Sequence, residues 1–307
     1  MRLWSFFFLL ITWALAQGPV SLTVGGPESG FVDGPREQAR MFKPIRLAAL
    51  DDDSVVFADI NNHAIRRLTR GGVVSTLVGG PDKQGYLDGP AGEARLRSPH
   101  GVAVRADGTI AVADAGNDAI RLLTPEGKGQ YRLTTLAGQP GQGGDQDGPN
   151  EQARFRAPHS LCWGGLGELY VADIGNASVR KIFRGQTSTV VKGGMKYPMD
   201  LALDSKQNLW IADAGLMQLW RWNEGAGLSA PFPNLKLQMP HGISLAEDDS
   251  IFVAEMHAHR IVLVDLNGTP TPIWESGLNR PAALLWERGG LWIADLGHHR
   301  ILRLNLL

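Results

Sequence analysis

The chain has 307 residues, with 38 glycines, 18 prolines, a single cysteine and a formal net charge of −1. A balance this even offers no basic surplus to attract nucleic acid or an anionic membrane. One cysteine excludes an internal disulfide framework and a cysteine-cage metal site, while the length admits either two ordinary domains or one large all-β ring.

In chain order the first feature is an export signal over residues 1–16. Arg2 and the amino terminus carry positive charge, and Leu3 to Leu15 is apolar apart from Ser5 and Thr12. Ala14-Leu15-Ala16 then supplies the small-residue site for cleavage before Gln17. The run is shorter than the roughly 20 apolar residues of a comfortable membrane span. The expectation is a mature domain over 17–307 with no membrane anchor after cleavage, extracytoplasmic (periplasmic or secreted) and monomeric.

Beyond it one string recurs: a short apolar strand, then Ala-Asp or Ala-Glu, a small polar turn, and a second strand. The copies are Phe57-Ala58-Asp59, Val112-Ala113-Asp114, Val171-Ala172-Asp173, Ile211-Ala212-Asp213, Val253-Ala254-Glu255 and Ile293-Ala294-Asp295. Each is preceded by a proline opening another short strand, at Pro44, Pro99, Pro158, Pro198, Pro240 and Pro281. Several of the following strands, such as Ile65 to Leu68, mix apolar and polar residues as half-buried strands do. A fourth strand ends most units, as at Val74 to Val78. Four short strands per unit of about 40 residues is the geometry of a propeller blade. The last unit stops one strand short, and Val20-Ser21-Leu22-Thr23-Val24 supplies the missing one. The predicted fold is all-β: a single six-bladed propeller whose last blade is completed by the N-terminal strand.

The strings Asp59-Ile60-Asn61-Asn62-His63-Ala64-Ile65-Arg66 and Asp114-Ala115-Gly116-Asn117-Asp118-Ala119-Ile120-Arg121 resemble the NHL-repeat family of β-propellers, over nearly the whole mature chain. The unit of Asp213 departs from the pattern, with Gly215-Leu216-Met217-Gln218 in the turn. Residues present in every blade are expected to build the blade. The six carboxylates of the Ala-Asp string should therefore bond backbone amides, and His63, His259 and His299 should be structural. Three insertions carry Asp33-Gly34-Pro35, Asp88-Gly89-Pro90 and Asp147-Gly148-Pro149. Each is followed by Ala-Arg (Arg40, Arg95, Arg154), and an Asp–Arg pairing that ties the loop to itself is expected.

The residue after the repeated proline varies: Ile45, His100, His159, Met199, His241 and Ala282. These six should ring one mouth of the central channel. Two readings stand: the proline-histidine strings are turns into the inner strand, each ring bonding a neighbouring carbonyl, or three neutral imidazoles meeting there form a metal or ligand site, with His100, His159 and His241 as zinc ligands. Asp200 is an available acid/base or hard oxygen ligand. Met199 and His257 are placed near the same mouth as ligand-binding residues. Pro99-His100-Gly101, Pro158-His159-Ser160 and Met239-Pro240-His241-Gly242 are also similar to the zinc-ligand strings of peptidyl-α-hydroxyglycine α-amidating lyase. That resemblance implies zinc on the three histidines, cleavage of a C-terminal α-hydroxyglycine, and a structural calcium; by position, Tyr197 and Arg46 are the nearest matches to its catalytic pair. Two functions are therefore expected. One is an exported propeller that binds a small molecule, peptide or protein at the channel mouth on its top face. The other is a zinc-dependent lyase or hydrolase. RNA binding is disfavoured by export and by a mature net charge of −2, since phosphate contacts need a basic face.

Overall fold

A computed structural model describes residues 20–306. The segment read as an export signal lies outside the described residues. Strands form six antiparallel sheets. The inner strands are Pro44–Ala49, Gly101–Val104, Pro158–Trp163, Pro198–Leu203, Pro240–Leu245 and Pro281–Glu287. Each packs against the inner strand of the next blade, and that of blade six packs against that of blade one. The ring is therefore closed, with blades one and four opposite each other.

Closure is made as the repeat predicted. Val20–Gly25 pairs antiparallel with Arg300–Asn305, so blade six runs in the order N-terminal strand, third, second, first. The added strand covers Arg300–Asn305 and leaves blade six, like the other blades, with only a short outer edge. The second strand of blades one to five is buried at every position, as in Val55–Asp59 and Leu169–Asp173. A strand covered on both faces reads as a continuous apolar run instead of an alternating one.

The repeated carboxylates bind backbone amides as expected, 16 or 17 residues upstream, just ahead of the inner strand of the same blade. Asp59 accepts from Phe42 N–H at 2.7 Å, Asp114 from Arg97 at 2.8 Å and Asp173 from Arg156 at 2.7 Å. Asp295 does the same for Asn279 at 2.7 Å.

In blades one to three each of these carboxylates also pairs with a fully buried arginine: Arg66, Arg121 and Arg180. The second arm of that arginine takes the insertion aspartate, Asp33, Asp88 or Asp147. An aromatic ring lies over each guanidinium: Phe31 at 4.9 Å, Tyr86 at 4.4 Å and Phe155 at 5.0 Å. The expected self-tie within the insertion is thereby corrected. Asp33 bonds Arg66 and Thr76 of the blade, and Arg40 is turned toward backbone carbonyls of its own loop. The loop is stapled to the sheet, and the Gly-Pro pair of each insertion adds a short fifth strand to the blade edge.

Candidate functional site

The inner strands carry the site because their pairing slips there. In blades three to six the register skips the residue after the proline: His159, Met199, His241 and Ala282. A bulge leaves the extra residue unpaired and re-aims its side chain. In blade one the skipped residue is Arg46, one position later. The residue ahead of the proline is left-handed in five blades, with φ of 63° at Lys43, 47° at Ser98, 49° at Ala157, 55° at Met239 and 55° at Arg280. This is an unfavourable state for a non-glycine residue, and more so before proline.

Four of these five strained residues have their N–H held by the preceding blade. His63 Nδ1 accepts from Ser98 at 3.0 Å, His259 from Arg280 at 3.1 Å and His299 from Lys43 at 3.3 Å. In blade two Asp118 takes the histidine's place and accepts from Ala157 at 2.8 Å. The repeat histidines are thus structural, as expected, and their work is to lock one blade to the next.

The three candidate ligands do converge. The rings of His100 and His159 are 4.9 Å apart between centroids, and those of His159 and His241 are 5.3 Å apart. His159 and His241 are buried, and His100 is half-buried. Among the described residues their hydrogen bonds run through Nδ1: His100 to Ser98 O at 2.9 Å, His159 to Met199 O at 2.9 Å and His241 to Ala282 O at 2.8 Å. Burial lowers the imidazole pKa of all three, that of His241 to about 3. They are neutral at pH 7. Gly101 and Gly242 make this crowding possible, since a Cβ on either would sit 2.6 Å from the His159 or Ala282 carbonyl.

Arg46 and Asp200 lie at the centre, both buried, joined by a 3.0 Å ion pair across the ring. Asp200 also accepts from Ser160 Oγ at 2.7 Å and from the Ile243 N–H at 2.8 Å. Arg46 donates to the Met199 carbonyl, to His241 O at 3.3 Å and to Ala282 O at 3.4 Å, and lies 3.2 Å from His159 Nδ1. Burial pushes the Asp200 carboxyl up and the Arg46 guanidinium down; each is the chief force holding the other charged. Below this pair a channel cavity of about 310 Å³ is lined by inner-strand residues including Val102, Cys162 and Leu284. Arg46, Ser160 and Asp200 close its histidine end.

Of the remaining candidates, Tyr197 is exposed and packs against Gly215 and Lys196. Met199 contributes its carbonyl. His257 is exposed in the turn after Glu255. Sequence reasoning missed Ser160 and the carbonyls of Met199 and Ala282, which no residue type announces. Among the described residues no group of three histidine, cysteine or carboxylate side chains is arranged to hold a metal ion.

No family model matches the chain. It is 26% identical to NHL repeat-containing protein 2 of Bos taurus, an alignment covering 97% of this chain and 43% of that protein. The repeat pattern, the six blades and this likeness agree. The chain is an NHL-repeat β-propeller. It spans less than half the length of that curated relative. Solved structures share the fold at low identity. A virginiamycin B lyase from Staphylococcus aureus, a catalytically inactive histidine-to-alanine variant solved with quinupristin, superimposes with a TM-score of 0.61 at 17% identity, covering 88% of this chain and 84% of that one. A gluconolactonase from Xanthomonas campestris gives 0.66 at 14% identity, covering 93% and 98%. Among the described residues of the NHL propeller, no helix is long and apolar enough to cross a membrane.

Proposed function

We propose that this NHL propeller binds a ligand at the histidine end of its channel. The observation that carries the reading is the cluster of His100, His159 and His241, three neutral rings brought into contact from three blades. His100 and His241 each donate from Nδ1 to a backbone carbonyl, which leaves Nε2 of both as a hydrogen-bond acceptor. The fitting ligand therefore offers O–H or N–H donors, as polyols, amines and peptide ends do. Thermal unfolding of wild type and His241→Ala with a panel of polyols, amines and short peptides tests it. A compound that raises the Tm of wild type alone supports the site. A compound that raises both equally binds elsewhere and overturns it.

The zinc-dependent lyase or hydrolase is the second reading. Its support is the Nδ1 anchoring of each ring, the arrangement that orients histidine ligands, and ring separations near the roughly 5 Å expected of imidazoles sharing a tetrahedral zinc. As arranged, the residues do not fit zinc: the three-donor group is not formed, and the Arg46 guanidinium beside His159 opposes a second cation. Metal analysis of wild type against His159→Ala decides. Stoichiometric zinc lost in the variant establishes this reading, and no zinc in wild type ends it.

A further inference from the structure

Arg46 stands where the other five blades carry Gly101, Ser160, Asp200, Gly242 and Ala283. It is the one long side chain at that level, and it reaches the centre of the ring. There its guanidinium meets three backbone carbonyls and a carboxylate, drawn from blades four, five and six. A positive charge held by clustered carbonyl and carboxylate oxygens has the donor chemistry of a hard-cation site. The structural calcium implied by the amidating-lyase resemblance does not fit this cluster, because the guanidinium already fills it.

We propose that Arg46 is a built-in cation that replaces a bound metal ion at the centre of the propeller. Two further features agree. Its backbone is left-handed, with φ of 44°, at a bulge, and a non-glycine residue keeps that conformation only when its surroundings over-determine it. Its buried Nε has no hydrogen-bond partner, so the side chain is held chiefly by the ring of oxygens around its two terminal nitrogens. Arg46 is a positioning residue for the mouth, since the Met199 and Ala282 carbonyls that it grips are those that orient His159 and His241. This inference does not depend on what the mouth binds.

The test is thermal unfolding of the full chain, with calcium or with EDTA, in wild type, Arg46→Met, Arg46→Lys and Arg46→Met/Asp200→Asn. Wild type is expected to ignore both additives. Arg46→Met is expected to melt roughly 10 °C lower, because removing one partner strands a buried carboxylate, and to regain at least half of that loss in millimolar calcium. Arg46→Lys keeps a tethered charge and should melt above the Met variant, unaffected by calcium. The double variant should lose the calcium response. A wild type that is destabilised by EDTA overturns the proposal. So does an Arg46→Met protein that melts like wild type or that calcium leaves unchanged. Should Arg46→Met fail to fold, the wild-type and Arg46→Lys arms still decide: calcium dependence in either refutes it.

Discussion

His299 in blade six accepts a hydrogen bond through Nδ1 from the backbone N–H of Lys43 in blade one. The contact latches the last blade to the first, and His63, Asp118 and His259 make the same bond between earlier neighbours. His299→Ala removes the acceptor from a strained left-handed residue. It should cost about 1 kcal/mol, read as a lower urea midpoint with an unchanged slope. A midpoint equal to wild type would show that the latch carries no stability.

The same latches make the ring sensitive to acid. Burial lowers the pKa of His63 and His299, as it does for the three mouth histidines. A histidine whose folded pKa lies below its unfolded value binds more protons when unfolded. Its stability is therefore whole above about pH 6.5 and is lost as pH falls. Unfolding free energy should decline from about pH 6.5 down to about 3, the value to which His241 is lowered. In His241→Gln the decline should be shallower. A slope unchanged in that variant would contradict its role.

The buried arginines of blades one to three separate interior from surface electrostatics. Arg180→Met leaves Asp173 buried without its partner and should cost about 3–5 kcal/mol. Asp147, at the same guanidinium, is 47% exposed. Asp147→Ala should cost about 1 kcal/mol. Denaturant titration of both measures the contrast, and equal losses would mean that burial does not set the worth of the pair.

Cys162 lines the channel cavity, where burial pushes its thiol up to about 12. At pH 8 the native protein should react with an aromatic disulfide reagent roughly a thousandfold more slowly than the unfolded chain, because the thiolate is the reactive form. Rapid labelling of the native state would show that the channel opens to solvent.

The propeller was legible because each blade repeats one solution. The proline, the Ala-Asp string and the following strand recur, so strand order, blade number and the N-terminal completion of blade six all followed from periodicity. The histidine cluster was legible for the same reason, since residues at equivalent repeat positions must share a level of the ring. Arg46 was placed near the mouth by position only. Its grip on Met199, Asp200, His241 and Ala282 is made across the ring, by residues 153 to 236 positions away, and no local pattern encodes such a contact. The insertion aspartates went to the blade arginine for a related reason. Arg66, Arg121 and Arg180 are buried and have N–H donors left over after the Ala-Asp carboxylate, whereas Arg40 bonds carbonyls of its own loop and Arg95 is exposed. Tyr197 was named for its adjacency to Pro198; its exposed ring packs against the turn at Gly215 and under Lys196.

The pairing of Val20–Gly25 with Arg300–Asn305 also bears on how the protein comes to be folded. The first of the ring's strands to be synthesised has as its partner the last. Five blades can form one after another from local hairpins, but the sixth waits with an open edge until synthesis has passed residue 305. Contacts of such sequence separation slow folding, and an unpaired edge is exposed to other chains for that time. The rate-limiting step in refolding should be the docking of this one strand, and variants that weaken it should aggregate during production before they lose measurable stability once folded.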